Sequence, residues 1–253
     1  MVWNRKKSLL PFENIEQKVF HKPKLVYWLA RNSTPTTKWA VLMHQYGGNS
    51  QYMVKQGKIY AKLGFNILFI DGRSHGLSQI TKESTAAFYG WDLIKILQYE
   101  NIKDVFLHGV SFGGIGILIA TRTWPEEIFI RGIVVEAICK DVKNIYKHLL
   151  EYSPIPYRLY SWFPDFMRKK RSFFDWEANS LDLLLSKLTC PVLIVHSELD
   201  SLYKPEIHFE ANKKAITNNP NGESWLAPGM LHSHMNEHPD WERVVTEFVA
   251  KYV

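Results

Sequence analysis

Asp104-Val105-Phe106-Leu107-His108-Gly109-Val110-Ser111-Phe112-Gly113-Gly114-Ile115-Gly116-Ile117-Leu118-Ile119-Ala120 joins a strand to a helix with almost no chain between them. Val105 to Leu107 is an apolar run that reads as a buried strand, and Ile115 to Ala120 reads as a buried helix. Between them lies Gly109-x-Ser111-x-Gly113, too short for an ordinary loop. A chain that turns this abruptly crowds its own backbone, and glycines two residues either side of Ser111 remove the side chains that would collide. Ser111 is then held at the tip of a sharp turn, its hydroxyl exposed at the positive end of the following helix. That geometry suits a nucleophile. The pattern alone arises by chance in roughly one chain in ten of this length, and a serine that merely caps a helix is the plain alternative. Context decides between them.

Outward from this turn, apolar runs alternate with helical spacing. Ile15 to Phe20 and Leu25 to Ala30 read as two strands joined by a turn containing Pro23. Trp39 to His44 is an apolar strand that runs into His44-Gln45-Tyr46-Gly47-Gly48. Met53 to Leu63 has helical spacing and stops at Gly64. Asn66 to Ile70 is a strand followed by Asp71-Gly72-Arg73-Ser74-His75-Gly76, and a helix covers Ala86 to Tyr99. Gly132 to Glu136, Val192 to His196 and Ser224 to Ala227 are further strands, with helices over Glu206 to Ile216 and Asp240 to Val253. Such alternation implies a mainly parallel sheet covered on both faces, in a single α/β domain spanning 1–253. Ligands bind beyond the carboxyl ends of the strands in these sheets, and each of these glycine- and histidine-bearing motifs falls at such an end.

A serine hydroxyl is a poor nucleophile at neutral pH and needs a base, which in turn needs a partner to fix its tautomer. Asp200 lies in the loop after Val192 to His196, and His232 in the loop after the last strand. The chain order Ser111, Asp200, His232 is the order that this type of turn uses. Glu198 competes for the role of the acid, but lies nearer the strand. His234 competes for that of the base, and His232 is preferred for its spacing from the Gly229 turn. A tetrahedral intermediate also needs two donors for its oxyanion. The backbone N–H of Phe112 is one, and Tyr46, in the loop after Trp39 to His44, is the best placed for the other. His232, His234 and His238 together could suggest zinc, but no matching carboxylate–histidine cluster accompanies them.

With these pieces assembled, the chain resembles an α/β-hydrolase of the serine esterase, monoacylglycerol-lipase and serine-aminopeptidase branch. The likeness rests on His44-Gln45-Tyr46-Gly47-Gly48, Asp71-x-Arg73-x-His75-Gly76-x-Ser78, Gly109-x-Ser111-x-Gly113, the Leu199-Asp200 loop and the Gly229 to His232 turn. It implies an α/β-hydrolase fold with an eight-stranded sheet. It also implies Ser111, Asp200 and His232 as a triad, Tyr46 and Phe112 as oxyanion donors, and hydrolysis of an acyl substrate without a cofactor or metal. Asp71, Arg73 and His75 resemble the family's structural turn. One departure stands out: the family usually has His-Gly where this chain has His44-Gln45, and a side chain there narrows the acyl site or shifts the loop.

The stretch 137–189 is longer than one crossover helix needs. Its aromatic centre, Ser153 to Arg168, suggests a lid over an apolar acyl pocket, and with Arg168 to Arg171 it also suits weak contact with a membrane surface. The net charge of +6 comes from lysines that are largely scattered, with no nucleic-acid-binding motif beside them. No run is long enough to span a membrane, no signal-peptide core is visible, and Cys139 and Cys190 have no redox or metal spacing. A cytoplasmic enzyme acting on a small-molecule ester is therefore expected. A peptidase, a thioesterase and a catalytically silent ligand-binding or membrane-associated protein of the same fold are the alternatives.

Overall fold

The computed structural model describes residues 10–82, 84–142 and 180–253. Its strands are β1 (Ile15–His21), β2 (Lys24–Ala30), β3 (Trp39–Met43), β4 (Asn66–Ile70), β5 (Asp104–Val110), β6 (Phe129–Glu136), β7 (Val192–Ser197) and β8 (Gly222–Ala227). They form one sheet in the order β1-β2-β4-β3-β5-β6-β7-β8. The β1–β2 hairpin and the β2–β4 pair are antiparallel, and every pair from β4 to β8 is parallel.

The central strands are apolar on both sides because both faces are covered. Val41, Leu68, Leu107, Ile133 and Ile194 pack under α2 (Ala86–Tyr99), α3 (Phe112–Ala120), α4 (Leu181–Ser186) and α5 (His208–Ala215). Leu42, Phe69, Phe106, Val134 and Val195 pack under α1 (Val54–Lys62) and α6 (Trp241–Ala250). This is the mainly parallel, doubly covered eight-stranded sheet that the sequence predicts.

Several elements differ from the sequence reading. β5 runs on to Val110 and α3 starts at Phe112, so one residue, Ser111, makes the whole turn. α5 begins at His208 rather than Glu206, after a turn in which the His208 N–H donates to the Lys204 carbonyl. α4, absent from the sequence reading, is a single short Leu-rich helix. The centre of the 137–189 insertion, 143–179, lies outside the described residues. Its two ends meet: Asp141 bridges to Ser180, and the Leu181 and Asp182 N–H groups donate to the Lys140 carbonyl at 2.8 and 3.1 Å. Among the described residues no helix is long and apolar enough to cross a membrane.

Candidate active site

Ser111 occupies the turn with φ +48° and ψ −111°, a backbone region that residues with a side chain rarely enter. Its N–H donates to the Glu136 carbonyl of β6 at 2.7 Å, and its carbonyl accepts from the Ile115 N–H at 2.9 Å. Steric contact fixes the glycines around it. A Cβ on Gly109 would stand 2.5 Å from the Gly114 nitrogen, where the helix folds back on the strand. A Cβ on Gly113 would stand 2.2 Å from the Met43 carbonyl oxygen, so α3 starts directly against the end of β3.

Ser111 is buried, 6 % exposed, rather than standing out in solvent as the sequence suggests, and its hydroxyl faces an imidazole: Oγ lies 3.2 Å from His232 Nε2. On the far side of that ring His232 Nδ1 lies 2.6 Å from Asp200 Oδ2. Nothing on an ionised carboxylate can donate, so Nδ1 carries the proton and Nε2 is left as the acceptor for the serine O–H. Asp200 itself is buried, with Oδ1 accepting the Leu202 and Tyr203 N–H groups at 2.9 and 2.8 Å. It therefore braces its own loop rather than capping α5. The loop of His232 is stitched to that of Asp200: the Leu199 N–H donates to the Met230 carbonyl at 2.9 Å, and Ser197 Oγ donates to the Leu231 carbonyl at 2.7 Å.

The competing candidates point elsewhere. Ser233 has φ +60°, which turns the chain between the two histidines. His234 consequently lies out in solvent with Nδ1 2.9 Å from Glu237 Oε1. Glu198 accepts the Gly229 N–H at 2.8 Å and is occupied in shaping the turn. His238 stacks edge-on with Trp225. Among the described residues no three His, Cys, Asp or Glu side chains gather as a metal would require.

Tyr46 and Phe112 also meet, their rings 5.3 Å apart in a T-shaped contact, which brings the loop after β3 beside the start of α3. Two buried histidines hold that loop. His44 Nδ1–H donates to the Gln45 carbonyl at 2.7 Å, while Nε2 accepts the Gly72 N–H at 3.0 Å. His75 Nδ1–H donates to the Arg73 carbonyl at 2.7 Å, while Nε2 accepts the Gly47 N–H at 3.0 Å. Both rings are neutral, because burial pushes His44 down to about 3 and lowers His75 as well. The turn beneath is equally well tied. Asp71 accepts from the Ser50 N–H, the Ser50 hydroxyl and the Leu77 N–H, and Arg73 forms a two-point ion pair with Asp92 at 2.6 and 2.7 Å. Gln45 departs from the His-Gly pattern without opening the loop: its carbonyl accepts the Gly48 N–H at 3.1 Å, and its side chain lies over Gly48.

Sequence reasoning missed two neighbours of the site. Tyr203 is buried with its ring 5.0 Å from that of His232, nearly perpendicular, and its phenol beside Ser111; burial pushes its pKa up, so it stays a neutral phenol. His196, at the end of β7, lies 3.4 Å from Asp200 Oδ2 through Nε2. Nothing in the spacing marks either residue, since each sits within a stretch that reads as strand or loop core.

No family model matches the chain. It is 27% identical over 207 residues to the uncharacterized protein YqkD of Bacillus subtilis (strain 168); the match takes in 75% of this chain and 65% of that protein's length. Similar solved structures include the Pyrococcus furiosus esterase Pf2001, at 23% identity and a TM-score of 0.72 over 99% of each chain. A monoacylglycerol lipase from Paleococcus ferrophilus is 20% identical with a TM-score of 0.65, over 90% of this chain and 99% of that one. A bromoperoxidase from Bacillus anthracis is 15% identical with a TM-score of 0.67, over 93% and 99%. At these identities the likeness is one of fold.

Proposed function

From the α/β-hydrolase fold that this chain has, we propose that it is a serine hydrolase of carboxylic esters working through an acyl-enzyme. One observation carries the reading: an unbroken proton path from Ser111 Oγ to His232 Nε2 at 3.2 Å and from His232 Nδ1 to Asp200 Oδ2 at 2.6 Å. Ser111 Oγ attacks the acyl carbonyl as its proton passes to Nε2. The carbonyl oxygen becomes an oxyanion beside the backbone N–H groups of Phe112 and Tyr46. Collapse of this intermediate expels the alcohol, which takes the proton from Nε2. Water then attacks the acyl-enzyme, gives a proton to Nε2, and the proton returns to Oγ as the acid leaves. Asp200 stays ionised throughout and stabilises the imidazolium.

The half-exposed Tyr46 and Leu231 together with Phe112 favour an apolar acyl group. The 137–189 insertion, whose ends are tied together on the crossover from β6 to β7, serves in this reading as a lid over that group. The likeness to an esterase and to a monoacylglycerol lipase agrees with an ester as substrate.

The test is labelling by a fluorophosphonate probe, followed by turnover of p-nitrophenyl esters of graded chain length beside matched amides and thioesters. Labelling that disappears in Ser111→Ala, with esters turned over fastest, is the expected outcome. A folded protein that does not label defeats the reading, and faster amide or thioester turnover reassigns it to a peptidase or thioesterase.

A further inference from the structure

Asp200 is touched by two histidines, and the proton path uses only one. His196, the last residue but one of β7, has no exposure to solvent. Its Nε2 lies 2.7 Å from the Tyr203 carbonyl oxygen and 3.4 Å from Asp200 Oδ2. Both are acceptors, so Nε2 must carry the hydrogen. Burial lowers the pKa of this ring, the Tyr203 carbonyl and the Asp200 charge opposing the shift, and the neutral form leaves Nδ1 bare. Nδ1 has no hydrogen-bond partner among the described residues. A buried acceptor left unpaired is costly, and an apolar side chain on this strand would avoid the cost. The position of Nε2 explains what is gained.

We propose that His196 is a positioning residue for the triad carboxylate, resting on the serine-hydrolase reading above. Through the Tyr203 carbonyl it clamps the 200–203 turn, whose Leu202 and Tyr203 N–H groups aim at Oδ1. Through the same N–H it places a second positive dipole 3.4 Å from Oδ2, the oxygen that also accepts the His232 N–H. The carboxylate is thereby held in one orientation, and part of its charge is countered before His232 feels it. His196 thus sets both the direction and the basicity of His232. The titratable side chains that act on His196 are Asp200 and His232; the Phe209 ring of α5, 5.8 Å away, closes another side.

Removing the His196 N–H leaves Asp200 more negative toward His232, which favours the imidazolium and raises its titration midpoint. The test is an NMR titration of the His232 ring protons in the full chain, assigned by their loss in His232→Ala. In His196→Leu the midpoint moves up by about half a unit, and His196→Gln, whose amide nitrogen reaches near the place of Nε2, restores it. A midpoint in the folded Leu variant equal to that of the parent overturns the proposal. If circular dichroism shows the Leu variant unfolded, His196→Asn against His196→Gln replaces it. Asn is too short to reach, so an upward shift in Asn alone supports the proposal and coincident midpoints overturn it. This titration needs no turnover. A parent chain whose Ser111 resists the fluorophosphonate refutes the hydrolase reading, while the midpoints still decide the role of His196.

Discussion

Ser111→Gly and Ser111→Ala both delete the hydroxyl, so the difference between them reports on the backbone of the turn alone. At φ +48° and ψ −111° a residue with a Cβ sits in a sparsely populated region, which costs about 1–3 kcal/mol. Glycine escapes that strain but gives up roughly 0.5–1 kcal/mol through the greater freedom of its unfolded chain. The net is about 1 kcal/mol in favour of glycine, which for a chain of this size is roughly 2–4 °C in Tm. The strain persists because the position is over-determined. The Ser111 N–H is bound to the Glu136 carbonyl, the Ile115 N–H to the Ser111 carbonyl, and Gly113 is pressed against the Met43 carbonyl. Thermal melts of the two variants, each checked for loss of probe labelling, make the assay. A glycine variant that melts at or below the alanine variant refutes a strained turn, and with it the claim that the fold works to hold this side chain forward.

Asp200→Asn keeps the size of the side chain but no longer obliges His232 to carry its proton on Nδ1; turnover of the best ester falls about 10⁴-fold, and a loss under tenfold counts against the assigned tautomer. Gly113→Ala puts a methyl 2.2 Å from the Met43 oxygen. Helix α3 and the end of β3 must part by about 1 Å, so kcat/KM drops about 100-fold with Tm lower by a few degrees; unchanged kinetics would show that the loop bearing Tyr46 is not seated on α3. His44, lowered from 6.5 to about 3, stays neutral in the fold while the unfolded chain takes up its proton. Stability therefore falls as pH drops, by about 2 kcal/mol from pH 7 to pH 5 for this residue alone. Urea unfolding across that range measures it, and a slope no shallower in His44→Gln contradicts the assignment.

The legible parts of this fold share one physical cause. A strand buried on both faces admits few polar side chains, so apolar runs locate β3 to β8 to within three residues at either end. The Ser111 turn is legible for the opposite reason: backbone crowding forbids a Cβ at Gly109 and Gly113, and the contacts found there are with backbone atoms that cannot step aside. Choosing His232 over His234 needs more than spacing, because it depends on a positive φ at Ser233 that no composition rule requires of a serine. Glu198 and Asp200 are likewise separated by the pairing of the Gly229 N–H with Glu198, a contact between two loops.

His196 and Tyr203 show where sequence reading stops. Each is a polar side chain inside a segment whose buried setting is already explained by the sheet, so neither breaks a local rule that would draw notice. The imidazole finds its partners four and seven residues on, at Asp200 and the Tyr203 carbonyl in the loop that β7 runs into, whereas His232 and Ser111, beside the phenol, come from other loops. The contacts of the phenol follow from the order of β5, β6, β7 and β8 side by side, which carries three loops to one edge. Local spacing identifies the side chains able to do the chemistry; the sheet order decides which ones meet. That is why Ser111, Asp200 and the histidine pair 232 and 234 stand out as candidates in the chain, whereas His196 meets Asp200 only because the loop after β7 turns back on the strand that carries it.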